Sequence, residues 1–98
     1  MVGEEDGSWQ VLICKIISNN LNAIQQAAFA NGIEWFGSNK RIYENAVYVV
    51  IVKYWVSGKD RLYLLKGDSA ERFNSLDCPE VKEKYFVENV KKLVEKYL

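Results

Sequence analysis

Residues 46–55 read Ala-Val-Tyr-Val-Val-Ile-Val-Lys-Tyr-Trp, and both alternating sets of this stretch are mostly apolar. In an extended chain Tyr48, Val50, Val52 and Tyr54 share one face, while Val47, Val49, Ile51 and Trp55 share the other, with Lys53 among them. β-Branched and aromatic residues favour a pleated strand, so the stretch reads as a long strand of a sheet. Ser57-Gly58-Lys59-Asp60 follows as a hairpin turn, and residues 61–65 return as the next strand.

Upstream, residues 9–17 (Trp-Gln-Val-Leu-Ile-Cys-Lys-Ile-Ile) are again apolar in both alternating sets, as suits an interior strand. Ser18-Asn19-Asn20 offers N-caps for a helix at about 20–31, whose Leu21, Ile24, Ala27 and Ala28 recur at helical spacing. Asn31-Gly32 stops it, with Ile33 where a Schellman cap places its apolar contact. Residues 33–36 form a short strand, and Gly37-Ser38-Asn39-Lys40-Arg41 a polar loop. Downstream, Ala70-Glu71-Arg72-Phe73 fits a helical turn. Asp77-Cys78-Pro79-Glu80 has the form of a helix start, with Asp77 as cap and Glu80 three residues on. The closing helix, at about 79–97, gathers Phe86, Val87, Val90, Leu93, Val94 and Tyr97 on one side. The order is β-α-β-β-β-α. The expected fold is α+β and two-layer, a four-stranded, largely antiparallel sheet with both helices on one face.

Composition bounds the function. The chain has 98 residues, 49% apolar, and thirteen cations balance thirteen acids. This fits one globular domain over residues 9–98, with residues 1–8 as a flexible acidic tail. There is no His, which removes His-dependent triads and His metal sites. Cys14 and Cys78 are too few for a Cys-rich metal site, so no metal or other cofactor is expected. The longest apolar run, residues 46–52, falls far short of the ~18–20 residues of a membrane span. The acidic start does not resemble a signal peptide, which points to the cytoplasm and to reduced thiols.

A two-layer fold covers only one sheet face. The other would then be a contiguous apolar patch, and such patches mark interfaces. The expected contact residues are Tyr48, Val50, Val52, Tyr54 and Tyr63, with Trp35 at the edge, and the first partner expected is a second copy. The competing arrangement places one helix on each face and buries everything. A runner-up function, binding of nucleic acid or a nucleotide, draws on Lys40, Arg41, Lys53, Lys59 and Arg61, which interleave with aromatic residues. Zero net charge counts against it. A third, carboxylate-dependent hydrolysis, has Glu34, Glu44, Asp60, Asp68 and Glu71 as candidates but no motif, so no catalytic residue is assigned. Cys78, near an expected helix start, and mid-strand Cys14 read as structural.

Gly32-Ile33-Glu34-Trp35-Phe36-Gly37-Ser38 is the most distinctive string. Trp35 and Phe36 should point to opposite faces. A helix ending in Gly-Ile-Glu-Trp-Phe-Gly, followed by strands and a closing helix, resembles small accessory proteins of bacteriophages and archaeal viruses. The resemblance implies a non-enzymatic interaction protein that engages a host factor.

Overall fold

The computed structural model describes residues 9–37 and 40–98, and the side chains of all of these except Trp9, Gln10 and Val56. Residues 1–8, expected as a tail, and Ser38-Asn39 of the polar loop lie outside the described residues. The chain runs β1 (Trp9–Ile17), α1 (Leu21–Ala30), β2 (Glu34–Trp35), β3 (Tyr48–Val56), β4 (Lys59–Gly67), α2 (Ala70–Asn74) and α3 (Glu83–Tyr97). The four strands form one sheet in the order β1-β3-β4-β2. β1 and β4 flank β3 antiparallel, and β2 runs parallel to β4. The fold is therefore α+β with a mixed, mostly antiparallel sheet. It differs from expectation in its third helix.

Local chemistry explains the elements. Asn20 caps α1, its Oδ1 accepting from the Ala23 N–H at 3.2 Å. At the other end Gly32 takes φ 83°, and the Ile33 N–H reaches the Ala28 carbonyl at 2.9 Å, as the Schellman cap requires. The β3–β4 hairpin closes through Ser57 (φ 54°) and Gly58 (φ 82°), a two-residue turn with both residues left-handed, whose twist matches the strands. β4 begins earlier and ends later than expected, because each of its residues 59–67 finds a partner on β3.

Two departures come from β1. A bulge between Leu12 and Cys14 inserts Ile13 without a β3 partner and shifts the alternation. Ile13, Cys14 and Ile16 consequently face one side, while Leu12 packs with the residues of the other. The outer edge of β1 is also strapped. The Lys15 N–H donates to the Pro79 carbonyl at 2.9 Å, and the Val81 N–H donates to the Lys15 carbonyl at 2.8 Å. Residues 79–81 are thus extended, and α3 starts at Glu83 rather than at Pro79. The expected Asp77–Glu80 start is overturned because the sheet edge takes that backbone first.

The two faces of the sheet are covered unequally. On the first, α1 and α3 bury Leu21, Ile24, Ala28, Phe86 and Val90 against Val49, Ile51, Leu62 and Leu64. The Glu83 carboxylate joins the two helices by accepting the Asn19 and Asn20 N–H groups. On the second face a smaller cluster of Tyr48, Val50, Val52, Tyr63 and Phe73 is roofed by α2. Each such side chain, fully buried, contributes about 1.5–3 kcal/mol. The first cluster is the larger and dominates stability.

Candidate functional site

The strand register assigns every side chain of the hairpin to a face. Tyr54, Lys59, Arg61, Tyr63 and Leu65 belong to the second face; Lys53, Asp60, Leu62, Leu64 and Lys66 belong to the first. The second face has two halves. Near Gly67 the Tyr48 ring lies over the glycine, where a Cβ would run into it, and stacks against Phe73 at 4.9 Å between centroids. Here α2 forms the roof. A groove of about 420 Å³ runs beneath it, lined by Leu12, Val50, Leu65 and Leu76, with Asp68 and Arg72 also lining it. Near the hairpin tip the face carries an aromatic cluster instead. The Phe36 ring sits 5.1 Å from Tyr54 and 5.6 Å from Tyr63, with Tyr54 and Tyr63 6.2 Å apart. Phe36 is 48% exposed although it touches both rings.

The expected contact residues divide accordingly. Tyr48 and Val50 (4% exposed each), Val52 (0%) and Tyr63 (8%) are buried within the chain itself, so they form no bare patch. Phe73, carried by the short helix, packs on Tyr48 and joins these residues in one cluster, while the rings of Phe36 and Tyr54 contact Tyr63. Tyr54 is half-buried and belongs to the aromatic cluster. Trp35 is buried on the first face, its Nε1–H donating to Gln25 Oε1 at 3.1 Å, and is not an edge contact. Its neighbour Phe36 takes the outward position, as alternation requires.

The cation set also separates. Lys59 and Arg61 are exposed on the aromatic half of the second face. Lys53 belongs to the first face and pairs with Asp60 at 3.5 Å. Lys40 and Arg41 are exposed on the loop that leads away from Phe36, where the Arg41 guanidinium lies 5.3 Å from the Tyr43 ring. The five residues therefore form no single basic surface. Of the acids, Asp60 is held by Lys53. Glu34 is half-buried opposite Tyr63, and Glu44, Asp68 and Glu71 are exposed. Among the described residues no group of three or more His, Cys, Asp or Glu is placed to hold a metal ion. No helix among them is long and apolar enough to cross a membrane.

Both thiols are free. Burial pushes Cys14 up to about 12, and the neighbouring Cys78 adds to the shift. Burial also raises Cys78; Lys15 opposes this and Asp77 reinforces it. With α3 beginning at Glu83, no helix dipole acts at Cys78 to activate its thiol.

Two organising residues gave no motif in the sequence. Gln25 is fully buried and pins the 40–47 loop. Its Oε1 accepts the Tyr43 N–H at 2.7 Å, and its Nε2 donates to the Tyr43 carbonyl at 2.9 Å. Lys15, turned toward the second face by the bulge, donates from Nζ to the Phe73 carbonyl at 3.2 Å and the Leu76 carbonyl at 2.9 Å. A polar residue on the apolar side of α1 and a lysine inside an apolar strand were the only signals for either.

No protein-family model matches the chain, and neither the curated proteins nor the solved structures compared with it give a match.

Proposed function

We propose that the chain is a non-enzymatic binding module that engages an acidic segment of another protein through the Phe36–Tyr54–Tyr63 cluster. The observation that carries this reading is the exposure of Phe36 within that cluster. Two ring contacts restrict the side chain, so little conformational entropy remains to be lost on binding. Aromatic anchors of this kind dominate interface energetics. Lys59 and Arg61, on the same face, select a partner rich in carboxylates and speed its approach. Two copies meeting through this face would oppose cation to cation, which disfavours a homodimer here. The reading is compatible with a viral accessory protein acting on a host factor in the host cytoplasm, as the Gly32–Gly37 string implied.

The placement of Lys59 and Arg61 beside aromatic rings also favours a second reading, single-stranded nucleic acid stacked on Phe36. A nitrogen-15 NMR titration separates the two, with a random Glu-Tyr copolymer and an oligothymidylate as probes. The first reading expects the copolymer to shift the Phe36, Tyr54 and Arg61 amides, and Phe36→Ala to abolish the shifts. Shifts with oligothymidylate alone, weakening steeply with salt, would favour the second. No shift with either probe removes this face as a binding surface.

A further inference from the structure

We infer that residues 68–77, which carry α2, are a cover that opens locally from the second face of the sheet, with Lys15 as its latch. Three observations support this. First, the segment is weakly anchored: among residues 68–77 only Phe73 is buried, Leu76 is half-buried, and the other eight are exposed. A five-residue helix does not persist by itself, so its order depends on what holds it. Second, the segment is pinned at both ends. The Val47 N–H donates to the Gly67 carbonyl at 3.0 Å on one side, and Pro79 and Val81 bond to Lys15 on the other. The cover can therefore lift between two fixed points without disturbing the strands. Third, its seating leaves a groove of about 420 Å³, lined by Leu12, Val50 and Leu65 on the sheet and by Asp68, Arg72 and Leu76 on the segment itself.

What closes the cover is the Tyr48–Phe73 stack together with Lys15. The Lys15 ammonium bonds the Phe73 and Leu76 carbonyls and lies 5.0 Å from the Phe73 ring centroid. One side chain thus holds the last turn of the helix and the aromatic anchor together. Regions with few buried contacts open at free energies well below global unfolding. Lifting this one uncovers Tyr48, Val50 and Leu65, which are continuous along the sheet with Val52, Tyr54 and Tyr63. The exposed aromatic half of the face would then extend toward Gly67.

Amide hydrogen exchange of the free protein tests the inference without any partner, so its outcome is separate from the binding reading. The reporters are the Phe73 and Leu76 amides for the cover, which bond the Ser69 and Phe73 carbonyls, and the β3 amides for the sheet. The cover is expected to exchange at least tenfold faster than β3. Lys15→Met keeps the apolar stem and should speed exchange of the cover tenfold or more while leaving β3 unchanged. Phe73→Leu, a milder change at the other anchor, should do the same. Equal protection of cover and β3 in the native protein would overturn the inference. So would variants that accelerate both regions by the same factor.

Discussion

Gln25 has no exposed surface, yet every polar atom of its amide is used. It acts toward Tyr43 as a strand would, accepting its N–H and donating to its carbonyl, and it also holds the indole of Trp35. Gln25→Leu keeps the approximate shape but strands three groups, the Tyr43 N–H, the Tyr43 carbonyl and the Trp35 Nε1–H. At about 1–3 kcal/mol for each buried unpaired group, the variant should lose about 3 kcal/mol or more in urea unfolding. A loss below about 1 kcal/mol would show that the loop reaches water instead. Cys14 supplies a pH dependence. Its folded thiol titrates near 12 against 9.0 for an unperturbed thiol, so the folded state disfavours the thiolate. This contribution to stability is complete below about pH 9 and is lost as pH rises from there toward 12. In that window the wild-type chain should lose about 1.4 kcal/mol more per pH unit than Cys14→Ala. Parallel pH profiles for the two proteins would contradict the assignment.

At the scale of elements, the hairpin turn is the one place among the described residues where a non-glycine takes a left-handed conformation. Ser57 adopts φ 54°, a left-handed conformation that costs a serine on the order of 1 kcal/mol. Ser57→Asn creates the Asn-Gly pair such turns prefer and should raise stability by about 0.5–1 kcal/mol in the same unfolding measurement. No gain would place the turn geometry elsewhere. This turn, the Schellman end of α1 and the apolar face of α3 were legible in the sequence because each is decided by residues within a few positions of one another. The β1 bulge and the late start of α3 were not. Both depend on a partner far along the chain: β3 for the bulge, and residues 79–81 for the strapped edge. Asp77-Cys78-Pro79-Glu80 is a sound helix start considered alone, but an unpaired strand edge outcompetes it.

The same distinction between local and distant decides the site when the molecule is taken whole. The alternation that put Tyr48, Val50 and Val52 on one face with Tyr54 was legible. The burial of the first three was not, because they share a cluster with Phe73, the buried residue of a five-residue helix more than twenty residues further on. Trp35 and Phe36 show the same limit. Their opposition was predictable from pleating, but which of them enters the core follows from the pairing of Trp35 with Leu64 and from its bond to Gln25, both on other elements. The covered arrangement has a measurable consequence. On a bare face Tyr48→Glu would be tolerated, and it would break a sheet-to-sheet dimer. Under α2 it places a carboxylate between Phe73 and Gly67, at a position 4% exposed, where burying a charge is costly. Tyr48→Glu should therefore cost about 3 kcal/mol with the cover seated; where residues 68–77 lift to admit the carboxylate the loss is smaller, and the Phe73 and Leu76 amides lose protection while β3 keeps its own. Light scattering of the wild-type chain should give a monomer across micromolar concentrations, and Phe36→Asp should remain folded with the same mass. A stable wild-type dimer together with a well-folded, monomeric Tyr48→Glu would mean that the face is bare in solution, and that a second copy rather than α2 covers it.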